Sequence, residues 1–313
     1  MAKVSSVSIS EKKGTKKKNV DFVKVVKDFG IKGDAHAGNG HRQVSFLAKE
    51  SIAKMKDMGL NVSSGDFAEN ITTEGVDLCK LTIGTRIKVG DAVFVISQKG
   101  KICHHRCAIF FQAGDCIMPK EGIFGEVVSS GIIQPGDTME VIEKEGLSVA
   151  IITLSDKGSK GERTDETGPA LREYLEENFT TSFVRNVIIP DDEEKLSEHL
   201  NDFSGMQGYD LILTNGSTGV SPRDIAPDVT IKFIDKELPG FGEAMRMNSF
   251  QKTPHALISR AVSGFVKNSL VINLPGSPKG ALENFQVIAP AIGHAVAKKQ
   301  GDSSDCAQNV SQD

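Results

Sequence analysis

Two carboxylates, Asp224 and Asp228, follow closely on a run of small residues, Thr214-Asn215-Gly216-Ser217-Thr218-Gly219, with Arg223 beside the first acid. Glycine lets the main chain approach an anion without a side chain intervening, and backbone N–H groups in such a turn favour phosphate oxygens. Hydroxyls and carboxylates nearby suit a Mg²⁺ that bridges those phosphates. The apolar run Leu211-Ile212-Leu213 that leads into the loop reads as a buried parallel strand, which delivers the loop to the carboxyl edge of a sheet. The plainer alternative is an ordinary strand-to-helix turn, with Asp224 and Asp228 as capping residues of the next helix.

Further phrases of the same half bear on the choice. They are Thr153-Leu154-Ser155-Asp156-Lys157-Gly158, Ile188-Ile189-Pro190-Asp191-Asp192, Leu238-Pro239-Gly240-Phe241-Gly242-Glu243, Ser259-Arg260 and Asn273-Leu274-Pro275-Gly276-Ser277-Pro278-Lys279-Gly280. In this order they resemble the molybdopterin adenylyltransferase family, which includes the pterin-binding domain of gephyrin, across residues 147–300. One position departs from the family's Thr-Thr-Gly-Gly-Thr-Gly: Ser217 stands where the family shows glycine.

The resemblance implies adenylyl transfer, in which the terminal phosphate of a dithiolene pterin attacks the α-phosphorus of ATP and expels pyrophosphate. It implies Mg²⁺, ATP and molybdopterin as the small molecules bound. Asp191 and Asp224 match the family's acids for metal and nucleotide and are the expected catalytic and metal-binding pair. Ser155, Asp156, Thr214, Gly216, Ser217, Thr218, Gly219, Ser277 and Lys279 are the expected cofactor-binding residues, and Arg260 is a candidate partner for an anionic group. A homo-oligomer, a trimer in many members of the family, is also implied.

In the first half, Cys and His concentrate in Lys101-Ile102-Cys103-His104-His105-Arg106-Cys107, with Cys116 beyond. Cys103 and Cys107 have the spacing of half a zinc site, but no second pair accompanies them. A reactive thiol is the other reading, since neighbouring Arg106 and histidines favour a thiolate. The phrases Gly33-Asp34-Ala35-His36-Ala37-Gly38, His41-Arg42-Gln43-Val44, Gly65-Asp66-Phe67-Ala68-Glu69-Asn70-Ile71 and Arg106-Cys107 resemble a MOSC domain over about residues 1–143. That resemblance makes Cys107 the expected functional cysteine, for cofactor binding, sulfur carriage or ligation of Mo or W. Cys116 is expected to be buried. A non-catalytic pterin carrier and a molybdenum-centre oxidoreductase using Cys107 are the rival classes.

The 313-residue chain is long enough for two domains, each with its own core. Its net charge of −4 argues against a dedicated nucleic-acid binder. The charge is uneven: residues 1–145 carry 21 Lys and Arg against 18 Asp and Glu, giving +3, and the remainder carries 16 against 23, giving −7. The stretch Lys12-Lys13-Gly14-Thr15-Lys16-Lys17-Lys18 reads as a solvated loop. With no apolar run long enough to span a bilayer, no signal-like start and five cysteines, an odd count, the expectation is a cytoplasmic protein without a membrane partner.

The elements that must position this chemistry divide near Glu143–Gly146. Residues 1–144 show short β-patterned runs, such as Arg86–Val89 and Ala92–Ile96, with one helix near Ala48–Met58. They predict a mostly β, barrel-like MOSC domain. Residues 147–300 alternate strands and helices and predict a three-layer α/β domain with a mainly parallel sheet. Residues 301–313 read as a disordered tail.

Overall fold

A computed structural model of the chain describes residues 1–100 and 116–303. Two compact units divide it, Met1–Glu145 and Gly146–Asp313. No helix among the described residues is long and apolar enough to cross a membrane.

The first unit holds strands β1 (Lys3–Ile9), β2 (Lys18–Val20), β3 (Val23–Val26), β4 (Gly30–Ile31), β5 (Val44–Ala48) and β6 (Ile71–Glu74). They are followed by β7 (Arg86–Val89), β8 (Ala92–Lys99), β9 (Ile123–Ser129), β10 (Gly131–Ile133) and β11 (Met139–Ile142). Eight of them form one sheet in the order β11-β7-β8-β9-β5-β6-β1-β2, and β10-β3-β4 form a second. Hydrogen bonds of 2.9 Å from the Val4 amide to the Asp137 carbonyl and from the Met139 amide to the Ala2 carbonyl link β1 to the entry of β11. The helix Lys49–Asp57 lies where the sequence pattern puts it and buries Ile52 and Met55 against Leu47, Val62, Phe67 and Cys116.

The second unit has a mixed six-stranded sheet. Its strands are β12 (Leu147–Leu154), β13 (Thr181–Ile189), β14 (Leu211–Asn215), β15 (Lys236–Glu237), β16 (Ser263–Val266) and β17 (Ser269–Leu274), in the order β13-β12-β14-β17-β16-β15. The four strands from β13 to β17 pair in parallel, whereas β16 pairs antiparallel with both β17 and β15. Every residue of β14 is buried, as a central strand covered on both faces requires.

Helices form where an apolar stripe recurs at helical spacing. Helix Thr167–Asn178 buries Leu171 and Leu175, and helix Pro278–Lys299 buries Ala281, Phe285, Ile288, Ile292 and Val296. Tyr174 of the first meets Phe285 of the second edge to face, with ring centroids 5.7 Å apart. Truncating a core side chain such as Leu213 to alanine costs about 2–5 kcal/mol.

The topology fixes where a ligand can sit. β13 and β14 follow β12 in sequence yet flank it on opposite sides. In an open α/β sheet the crevice at such a reversal, outside the carboxyl ends of the strands, is where ligands bind.

Candidate functional site

A cavity of about 430 Å³ occupies that crevice. Its walls come from the loops after four parallel strands: Ser155 and Gly158 after β12, Asp191 after β13, Gly216, Ser217 and Asp224 after β14, and Gly276 and Ser277 after β17. Residues Arg163–Thr167, before the helix Thr167–Asn178, complete it.

Backbone proximity explains the glycines here. Gly216 has φ +97°, and a Cβ on it would stand 2.7 Å from the Leu154 carbonyl oxygen. A Cβ on Gly276 would meet the Gly216 Cα at 3.1 Å, so two strand-end loops touch through glycine backbone. The amides of Ser217, Thr218 and Gly219 have no acceptor among the described residues, and they follow directly on the cavity's glycine loop.

Ser217 itself adopts φ +58°, the left-handed region that favours glycine. Its hydroxyl accepts from the Ile225 amide at 2.8 Å and donates to the Arg223 carbonyl at 3.0 Å. The side chain that departs from the family pattern therefore fastens the loop at its far end.

The acids are arranged individually rather than as a closed cage. Asp156 and Asp191 exchange contacts, each carboxylate accepting the other's amide at 3.2 Å, and Asp156 also pairs with Arg223. Asp224 accepts the Ser221 amide at 2.8 Å and lies against Gly219, where a Cβ would approach its carboxylate to 2.8 Å. Among the described residues no group of three His, Cys, Asp or Glu could hold a metal alone. Mg²⁺ commonly takes one or two carboxylates and completes its shell with substrate phosphates and water, and Asp191 and Asp224 both line the cavity, from the loops after β13 and β14.

Several expected residues have other surroundings. Thr214 is fully buried and accepts from the Asn273 side chain at 2.8 Å, inside the sheet rather than on the cavity. Lys279 is exposed and does not line the cavity. Thr218 and Gly219 border a neighbouring cavity of about 310 Å³ with Arg246, Lys252 and His255. The hydroxyls of Ser155 and Ser277 accept the amides of Gly158 at 3.0 Å and Gly280 at 3.2 Å and so cap the helices that follow. Arg260 is committed within the protein, donating to the Gly219 carbonyl at 2.7 Å, the Asp224 carbonyl at 2.5 Å and the Asp228 carboxylate at 2.7 and 2.8 Å.

Sequence reasoning missed Arg163, Asp165 and Thr167. Asp165 accepts the amides of Thr167 and Gly168, both at 3.0 Å, and the Thr153 hydroxyl at 2.7 Å. Thr167 donates to the Gly276 carbonyl at 2.8 Å. The available signal was an acid two and three residues ahead of the first turn of a helix, in Asp165-Glu166-Thr167-Gly168.

In the first unit a cavity of about 250 Å³ is lined by residues that include His36, Arg42, Ser45, Phe67, Asn70 and Phe124. Behind it Lys17, expected to be solvated, is instead buried and pairs with buried Asp34 at 2.5 Å. The Lys17 ammonium also lies 3.2 Å from His36 Nδ1. Burial alone would raise the Asp34 pKa, but bonds from His36 and Lys17 and from the amides of His36 and Ser10 hold it well below the usual carboxylate range. Cys116 is buried, as expected, while Cys79 is exposed. Cys103, His104, His105, Arg106 and Cys107 lie outside the described residues, as does Cys306 with most of the expected tail.

Comparison with known proteins gives two family matches, a "probable molybdopterin binding domain" over residues 150–294 and a MOSC domain over residues 33–140. The molybdopterin adenylyltransferase of Haemophilus influenzae is 36% identical over 153 residues, which are 49% of this chain and 78% of that protein. That of Escherichia coli is 37% identical over 151 residues, 48% of this chain and 77% of that protein. The crystal structure of the molybdopterin biosynthesis enzyme MoaB from Thermus thermophilus is 41% identical, with a TM-score of 0.46 over 50% of this chain and 98% of that one.

Proposed function

Because the chain belongs to the molybdopterin adenylyltransferase family through its second unit and carries a MOSC domain in its first, we propose that it transfers an adenylyl group from ATP to molybdopterin. The observation that carries this reading is the crevice cavity, where a glycine loop and two acids from separate strand ends meet at the reversal of the sheet.

The protein's part in such a reaction is positioning and charge management rather than covalent chemistry. The loop Gly216–Gly219 offers amides to phosphate oxygens, and the Ser217 and Arg260 bonds hold it in shape before a ligand arrives. Asp191 and Asp224 would hold Mg²⁺, which neutralises phosphate charge when bound. Asp156, already paired with Arg223, positions the Asp191 loop through its amide bond and is not spare for metal. Ser155 and Ser277 shape the rim by capping the two helices that begin there.

For the first unit we read the linkage of β1 to the entry of β11 as closure of a barrel-like sheet. Its cavity beside His36, Arg42 and Asn70 suits an anionic pterin, so this unit is assigned to cofactor binding or sulfur carriage, with Cys107 as the working thiol.

Release of pyrophosphate from ATP in the presence of molybdopterin and Mg²⁺ tests the main reading. Turnover dependent on all three is the expected result. A protein that retains pterin through purification yet releases no pyrophosphate would instead be a carrier.

A further inference from the structure

Charge is unbalanced around the main cavity. Asp165, Glu166, Asp191 and Asp224 bring four carboxylates to its lining, and Arg163 brings the single Lys or Arg among the described lining residues. The other arginines at this end of the sheet are engaged, Arg223 with Asp156 and Arg260 with Asp228. Arg163 is exposed and, despite four acids around the same cavity, makes no ion pair or hydrogen bond with any described residue.

Its main chain is nevertheless fixed on both sides. Upstream, the Glu162 amide donates to the Lys157 carbonyl at 2.9 Å and the Gly161 amide to the Gly158 carbonyl at 3.0 Å. Downstream, Asp165 is locked to the helix start and to Thr153. An arginine on a fixed stem with an uncommitted head, at the rim of an acidic cavity, is arranged for a ligand that brings its own negative charge. A guanidinium binds phosphate bidentately and stays charged at any working pH.

We propose that Arg163 binds the two terminal phosphates of ATP, the pair that departs as pyrophosphate. This rests on the adenylyl-transfer reading of the same cavity and names a residue for its leaving group. In that transfer a pterin phosphate oxygen forms a bond to the α-phosphorus. The bond from the α-phosphorus to the oxygen bridging it to the β-phosphorus breaks, and its electron pair leaves with pyrophosphate. The glycine loop after β14 lies at the inner wall and suits the phosphate that reacts. Arg163 sits at the exposed rim, where the tail of the nucleotide must lie and where the departing charge collects.

The test is calorimetric binding of Mg·ATP, Mg·pyrophosphate and AMP to the full chain and to Arg163→Gln, with melting measured on both. The variant should bind Mg·ATP and Mg·pyrophosphate about 10–100-fold more weakly, as loss of a charged hydrogen-bonding group implies. AMP, which lacks the tail, should bind within about twofold of the parent chain, and Arg163→Lys should recover part of the loss. Unchanged affinity for both tail-bearing ligands overturns the assignment, and so does an equal loss for AMP. Failure of the parent chain itself to bind any of the three overturns the adenylyl-transfer reading instead, and is seen before any variant is made.

Discussion

The hydroxyl of Ser217 and the amide of Ile225 are joined by a 2.8 Å hydrogen bond that spans the loop after the central strand. With the second bond to the Arg223 carbonyl, it offsets the strain of a Cβ at φ +58°. Glycine would relieve the backbone, by about 1 kcal/mol, but lose two bonds worth about 0.5–1.5 kcal/mol each. Ser217→Gly should therefore lower the melting temperature by a few degrees while loosening the loop. Affinity for Mg·ATP should fall several-fold. A tighter-binding variant in the same titration would mean the serine merely obstructs.

Asp224→Asn keeps an oxygen to accept the Ser221 amide, so the loop should hold its shape. Only the charge is removed. Pyrophosphate release should drop by on the order of 100-fold, the scale seen when one electrostatic element of a transition state is lost. Near-native turnover in the variant would remove Asp224 from the metal role.

Lys17→Met should be strongly destabilising. It leaves Asp34 buried without its cation, and breaking a buried pair in this way costs about 3–5 kcal/mol. The double variant Lys17→Met with Asp34→Leu should recover much of that loss, because no charge then remains to be solvated. Urea unfolding of the four chains in the cycle measures both effects, and an additive cycle would show that the pair is not coupled.

Glu69 gives a pH dependence of the opposite sign to Asp34. Burial raises its pKa, against bonds from the Gly65 amide and the Thr72 hydroxyl, and its second oxygen is buried with no hydrogen-bond partner among the described residues. A carboxyl whose folded pKa is raised contributes stability that is present below the unfolded value and lost as pH rises through the folded one. Asp34, with a lowered pKa, contributes stability that is lost as pH falls. Glu69→Gln should therefore melt with a flatter profile than the parent chain as pH rises above the ordinary glutamate pKa. Parallel melting curves above that pKa would show that Glu69 does not carry this pH dependence.

How much of this could be read from residues alone depended on distance along the chain. Leu211–Leu213 announced a buried strand because three consecutive apolar residues before a glycine loop need only local pattern. Asp191 and Asp224 were legible as strand-end acids for the same reason. Thr214 was misjudged because it is contiguous with the loop in sequence but lies inside the sheet, bonded to Asn273 of the neighbouring strand. Lys17 looked like one more charge in a basic run, and the partners that hold it out of water, Asp34 and His36, lie in a different segment. The antiparallel pairing of Ser263–Val266 with Ser269–Leu274 was equally hidden, since both runs are short and their partner choice is set by the assembled sheet.

The meeting of Gly216 with Gly276 limits how this cavity can change. Two loops that touch through bare backbone cannot approach further: a side chain on Gly276 would press on the Gly216 Cα and push the loops after β14 and β17 apart, whereas one on Gly216 would press on the Leu154 carbonyl at the end of β12. Thr167, bonded to the Gly276 carbonyl, would carry that displacement into the start of its own helix. Variation that alters ligand preference must therefore enter from the rim, through the segment carrying Arg163, while the inner wall keeps one shape for every ligand it accepts.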